Sequence, residues 1–333
     1  MAYIQRRKRK KGFTYTALIR RAGHKAFVRT FDTKNRAVKW ARGLERKLDI
    51  GDYSDFSEAS KLTLRDLLNR YIAENKHRKK KDWKNEEYKV GYVLKDTIAD
   101  TNCLRLSSKH LAEFRERRLM RVTKSTFNKD LSFISSVINT AIHDWGIYFP
   151  SNPCRALKRE KEPQPRNRIL GKDEEKELIE ACALSKCIYL KPMVQFSIET
   201  AIRQGELLKI RFRDINFKKH TLLLTDTKNG RDRIIPLSQK AFLILSSLPR
   251  QFDGKLFPLT RNQLKHFWQD TLKKTNVKGF RWHDLRRHAV SIMFSEKNLD
   301  VPSVQLITGH LDPRVLLNTY TKLDPEKLVS KLG

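Results

Sequence analysis

Residues 280–294 read FRWHDLRRHAVSIMF. Leu285, Ala289, Ile292 and Met293 recur at helical spacing, so one face of this stretch is core. His283 and Arg286 stand three residues apart at the expected start of that helix. A helix N-terminus attracts anions through its unbonded N–H groups and its dipole, and a His–Arg pair there makes a phosphate-sized pocket. Alone, such a pair is a common surface accident, so its meaning depends on the rest of the chain.

The chain has 333 residues, enough for two or three domains. Lys and Arg number 70 against 37 Asp and Glu, a formal charge of +33. An excess of that size, spread through every segment, points to a polyanionic partner, with nucleic acid the leading candidate. No apolar run approaches the roughly 18 residues of a membrane span. The basic N-terminus lacks an apolar h-region, so no secretory signal is expected. The four cysteines, Cys103, Cys154, Cys182 and Cys187, have neither zinc-site spacing nor a disulfide framework. Cys182 and Cys187 are expected to pack against a helix face rather than bind a metal.

The N-terminal segment opens with a basic run, RRKRKKG (Arg6 to Gly12). Phe13, Tyr15, Ala17 and Ile19 then alternate along one face. The alternation breaks at Ala22-Gly23-His24 and resumes at Ala26, Val28 and Thr30. This predicts a hairpin with a third strand around Tyr3 to Arg7. Thr33 reads as the N-cap of a helix with Ala37, Val38, Ala41, Leu44 and Leu48 in its stripe, stopped by Gly51. The unit reads as a β-sheet laid in a DNA groove, with a basic accessory domain as the other reading.

A polar linker, Asp52 to Lys61, precedes a segment of about four helices from Leu62 to Leu157. Leu64, Leu67, Leu68 and Tyr71 form one stripe; Phe127, Leu131, Ile134, Val137, Ile138 and Ala141 form another, with Ser125 as the expected cap. Arg159 to Arg168, REKEPQPRNR, has two prolines and no apolar periodicity, and reads as a linker between domains. From Ile169 onward the pattern is mixed. GKDEEKELIEACAL is a helix with an acidic first turn. PMVQFSIETAIRQGELLKIRFRDI is a helix followed by a turn. Thr221–Thr225 and Arg233–Leu237 flank a hairpin turn at Lys228-Asn229-Gly230. Gly309-His310 ends one helix and Asp312-Pro313 begins the next.

Further residues add to the pair at 283 and 286. Arg203 lies between apolar neighbours, so it is partly buried and needs a partner; Glu206, three residues on, shares its face. Lys228 at a hairpin tip has a mobile ammonium that can donate a proton. His310 follows Thr308-Gly309, and Tyr320 comes ten residues later.

In chain order, Arg203 in AIRQGEL, Lys228 in the hairpin, His283 and Arg286 in HDLRRH, His310 in TGH and Tyr320 in NTY resemble the tyrosine recombinases, the phage integrases. The likeness covers the chain from Ile169. The helical segment, with STFNKDLSFISSVINTAI and SNPC, resembles the family's core-binding domain. The basic N-terminal unit resembles the arm-binding domain of larger integrases, the loosest of the three likenesses.

The resemblance implies a multidomain α+β protein. Residues 1–55 would form an arm-type DNA-binding sheet plus helix, 62–158 a helical core-type DNA-binding domain, and 169–333 a helix-rich mixed α/β catalytic domain. It implies integration, and excision, of a phage or mobile element through a 3′-phosphotyrosine intermediate and a Holliday junction. Tyr320 would be the nucleophile. Arg203, Arg286 and His310 would hold the phosphate, His283 would take the tyrosine proton, and Lys228 would protonate the departing 5′ oxygen. No cluster of carboxylates appears, and this chemistry needs no metal or other cofactor. The implied partners are double-stranded core and arm sites, three further copies of the chain in a tetramer, a host DNA-bending protein and an excisionase, in the nucleoid of a bacterial cytoplasm and without a membrane. Type IB topoisomerases use a similar residue set to relax DNA, and a non-catalytic DNA-binding protein is the other alternative. Arg287 is expected on DNA backbone or a carboxylate, and His288 in a structural role. TKLDPEKLVSKLG, after Tyr320, either docks on a neighbouring protomer or covers its own core.

Overall fold

The computed structural model describes residues 2–9, 12–21, 26–50, 58–77, 83–164, 166–225 and 232–320. The hairpin turn with Lys228, Gly51 and the tail after Tyr320 lie outside them. The chain divides into two compact units, Met1–Pro163 and Gln164–Gly333.

The first unit begins with an antiparallel sheet of β1 (Tyr3–Arg9), β2 (Gly12–Ile19) and β3 (Phe27–Phe31), in that order. Its two-residue period buries Ala17 and Ile19 against Ala37 and Ala41 of α1 (Lys34–Asp49). Thr33 caps α1 by accepting a hydrogen bond from the Arg36 amide at 3.4 Å. The same period sends the alternate residues to the open face. There Gln5 pairs with Thr16, Arg7 with Thr14, and Thr16 with Thr30, whose hydroxyls are 3.0 Å apart.

Four helices follow: α2 (Leu64–His77), α3 (Trp83–Val93), α4 (Ser108–Leu119) and α5 (Lys124–His143). Leu64, Leu67, Leu68, Phe127, Ile134 and Ile138 are all fully buried in their common core. The cap of α5 is Thr123, not Ser125. The Thr123 backbone is extended and its hydroxyl accepts from the Thr126 amide at 3.3 Å, so Ser125 falls inside the first turn. The charged stretch from Arg159 is not free along its first part. Buried Asn128 donates to the Glu160 carbonyl and to Glu162 Oε1, both at 2.9 Å, and accepts from the Glu160 amide at 3.0 Å. One amide side chain thus satisfies three polar groups and holds the segment to α5.

The second unit contains α6 (Lys172–Ala183), α7 (Leu190–Thr200), α8 (Gln204–Leu207), then β4 (Ile215–Asn216), β5 (Thr221–Leu224) and β6 (Arg233–Pro236) in one antiparallel sheet. Then come α9 (Gln239–Ser246), α10 (Arg261–Leu272), α11 (Trp282–Ser295), α12 (Val301–Thr308) and α13 (Pro313–Tyr320). Strand β4 was not foreseen, because two residues are too few to show alternation. The mixed, helix-dominated arrangement is the one expected.

Three features of this unit position the site. Helix α7 ends where Ala201 turns left-handed at φ 51°, which makes Arg203 the N-cap of α8 rather than a mid-helix residue. Helix α11 packs along α7. A small core of Ala289, Val290, Met293, Val304, Ile307 and Leu316 joins α11, α12 and α13. Burying Leu316 completely contributes about 1.5–3 kcal/mol to keeping α13 on this surface. Among the described residues, no helix is long and apolar enough to cross a membrane.

Candidate active site

Arg286 projects from the first turns of α11 and is only 4% exposed. Its Nη1 donates to the Ala201 carbonyl at 2.7 Å and its Nη2 to the Thr308 carbonyl at 2.8 Å. Those carbonyls close α7 and α12, where helix C-termini leave unbonded oxygens and negative dipole charge. One guanidinium therefore joins two helix ends and is fixed by both.

Arg203 lies on the same two segments. Its Nη1 donates to Glu206 Oε1 at 3.0 Å and its Nη2 to the Gly309 carbonyl at 3.4 Å. Glu206 is buried and also receives Arg233 of β6, Nη1 to Oε1 at 3.1 Å and Nη2 to Oε2 at 2.7 Å. Burial pushes the Glu206 pKa up, but hydrogen bonds and charge from Arg233, followed by the charge of Arg203, hold it below the usual carboxylate value.

His310 follows the left-handed Gly309 (φ 68°) that terminates α12. Its Nε2 lies 3.2 Å from Arg286 Nη2 and its Nδ1 2.8 Å from the Thr308 hydroxyl. A guanidinium can only donate, so Nε2 accepts and the ring proton sits on Nδ1. The Thr308 hydroxyl accepts that proton and donates its own to the Val304 carbonyl at 2.6 Å. Loss of water, then the charges of Arg286, Arg203, Arg233 and His283, push the His310 pKa down to about 4, consistent with this neutral ring.

His283, in the first turn of α11, keeps an exposed surface, yet its pKa also falls. Partial desolvation comes first, then the charges of Arg286 and Arg287; Arg203 adds a smaller share, while Asp284 opposes them. The lowered pKa keeps the ring neutral at neutral pH, the form that can accept a proton. Helix α13 ends on Tyr320, one turn beyond buried Leu316. The described structure thus brings Arg203, His283, Arg286 and His310 together, with the Tyr320 backbone on a neighbouring helix.

Two contributors escaped the sequence reading. Arg233 looked like one polar residue in a short strand. Gly309 was legible as a helix stop, but not as the space into which Arg233 packs. A Cβ at Gly309 would come within 3.0 Å of the Arg233 Nε and Nη1. His288 is structural as expected, 2.8 Å from Glu175 on α6. Of the two partners expected for Arg287, no carboxylate meets it among the described residues, and its Nε and Nη1 are buried without a hydrogen-bond partner. The four cysteines are buried, and desolvation pushes the thiols of Cys103, Cys154 and Cys182 up to about 12.

The described cluster sets Arg203, Arg233 and Arg286 against one carboxylate, Glu206, and is built to receive an anion. Residues 168–327 match the phage integrase family. A shufflon-specific DNA recombinase of Escherichia coli is 30% identical over 261 residues, 76% of this chain and 67% of that protein. The chain belongs to the phage integrase family, the tyrosine recombinases. It is accordingly a site-specific recombinase. The fold agrees with solved integrases. A lambda integrase tetramer bound to a Holliday junction gives a TM-score of 0.64 at 19% identity, covering 97% of each chain. A lambda integrase(75–356) dimer bound to a COC′ core site gives 0.67 at 19% identity, covering 79% of this chain and 96% of that one.

Proposed function

We propose that this recombinase integrates and excises a phage or other mobile DNA element, cutting and rejoining each strand through a 3′-phosphotyrosine and passing through a Holliday junction. The observation that carries this reading is the convergence of Arg203, Arg286 and His310 on two adjoining chain segments, 201–203 and 308–310. Phosphoryl transfer develops negative charge on the non-bridging oxygens, and donors held in place beforehand stabilise it without reorganising. An arriving phosphate would raise the His310 pKa and allow Nε2 to become a donor. Tyr320 attacks phosphorus, His283 takes its proton, and Lys228 protonates the 5′ oxygen as its bond to phosphorus breaks. The phosphotyrosine conserves the bond energy, so rejoining needs no nucleotide cofactor.

Arg203→Ala and Arg286→Ala should each lower single-turnover cleavage by roughly 10²–10³, the scale for losing one transition-state donor. DNA affinity should change far less, because many other basic side chains hold the backbone. A fall in affinity as large as the fall in rate would assign these arginines to binding alone.

Residues 62–158 are read as the core-site domain and 169–333 as the catalytic domain. Residues 1–55 are read as the arm-site domain, supported by Gln5, Arg7, Thr14, Thr16 and Thr30 on the open face of the sheet. Amides, hydroxyls and guanidiniums at that spacing suit base edges and phosphates. The lambda tetramer on a Holliday junction supports four copies acting on two sites. A host bending protein and an excisionase would complete the assembly in a bacterial nucleoid. Deleting residues 1–55 tests the division of labour. Cleavage at isolated core sites should persist while integration between full-length sites falls. Equal integration by the truncated and intact proteins would remove the arm assignment, and plasmid relaxation without joining at defined sites would favour the topoisomerase alternative.

A further inference from the structure

Arg233 is the second residue on the carboxylate that holds Arg203, and its backbone belongs to a different part of the machinery. It pairs with Leu224 across the last described rung of the β5–β6 ladder, five residues after Lys228 in the chain. Its side chain is 12% exposed. Both terminal nitrogens fork onto the two Glu206 oxygens, at 3.1 and 2.7 Å, and Nε donates to the Ile307 carbonyl at 3.3 Å. All three nitrogens are therefore engaged with the protein, and the two terminal ones form a fork on a buried carboxylate that also holds Arg203.

The groups it touches all lead to the site. Glu206 accepts from Arg203 Nη1 on the oxygen it shares with Arg233 Nη1, and from the Arg203 amide at 3.3 Å on the other. Ile307 lies three residues before His310, and the Arg233 side chain fills the space above Gly309, which a Cβ would occupy. We infer that Arg233 is a positioning residue that locks the base of the β5–β6 hairpin to the cluster of Arg203 and His310, so that hairpin and phosphate-holding groups keep one register. A lysine would not reproduce this, since an ammonium is a point donor and cannot fork onto a carboxylate while reaching a third acceptor. Losing the fork would loosen the hairpin base and leave Glu206, among the described residues, with Arg203 as its remaining ion-pair partner. Arg203 would then be drawn away from the phosphate.

The chemical consequence rests on the reading of Lys228 as the acid, and the test separates the two claims. Full-length Arg233→Met and Arg233→Lys are compared with the parent in three measurements. Trypsin digestion after Lys228 or Arg231 should accelerate at least about tenfold in Arg233→Met, as local opening becomes easier. Single-turnover cleavage should slow by about 10²-fold, the scale for displacing reacting groups by roughly an ångström, with DNA affinity nearly unchanged. Arg233→Lys should fall between parent and Arg233→Met in both, and it serves as the folded comparison if Arg233→Met melts early. A substrate with sulfur in place of the bridging 5′ oxygen should recover part of the lost rate in both variants, because misplacement of Lys228 then matters less. Unchanged hairpin digestion, or rate, affinity and melting temperature falling together, would overturn the inference. If sulfur fails to rescue Lys228→Ala itself, the acid assignment falls, while the digestion measurement still decides whether Arg233 anchors the hairpin.

Discussion

Tyr320→Phe should yield no covalent protein–DNA adduct on a nicked suicide substrate, with binding to core DNA nearly intact. The expectation follows from placement and chemistry together. Tyr320 closes α13, which Leu316 holds against α11 and α12, the helices that supply Arg286 and lead into His310. The phenol oxygen is the only atom the substitution removes, so shape and packing are preserved while the nucleophile is lost. Catalysis by the remaining donors cannot substitute, because without a nucleophile there is no bond to form with phosphorus. Adducts at normal yield in the Phe variant would show that another residue attacks.

Lys228→Ala should slow cleavage by about 10²–10⁴, the usual range for removing a general acid. Replacing the bridging 5′ oxygen with sulfur separates proton donation from charge stabilisation. As the tyrosine oxygen bonds to phosphorus, the phosphorus–sulfur bond breaks and sulfur leaves as a stable thiolate that needs no proton. The sulfur substrate should thus restore much of the rate to Lys228→Ala and none to Tyr320→Phe. No rescue would make Lys228 a positioning or charge-stabilising residue, with His283 and His310 next as candidates for the acid.

The sequence showed this site unevenly, for physical reasons. Arg203 and Glu206 were legible as a pair because three residues separate them and apolar neighbours required a buried partner. His283 and Arg286 were legible because a helix start places them on one turn above an apolar face. Arg233 was not, since its partner Glu206 lies 27 residues away and no periodicity records a contact between a strand and a separate turn. Nor does sequence spacing report that Arg286 is held by the carbonyl ends of two helices, because backbone acceptors carry no side-chain signature. In the fold, long stripes such as Phe127, Leu131, Ile134 and Ile138 identified their helix, while the two-residue strand β4 and the choice between Thr123 and Ser125 as a cap depended on local backbone geometry.

In the proposed reaction Tyr320 becomes covalently joined to the 3′ phosphate of a cut strand. Trapping the full-length protein on a suicide substrate, digesting both components and sequencing the cross-linked peptide by mass spectrometry tests it directly. The expected product is a 3′-phosphonucleotide on the peptide that contains Tyr320, with a free 5′-hydroxyl on the departing strand. A modified residue other than Tyr320, or a 5′-linked phosphate, would contradict it.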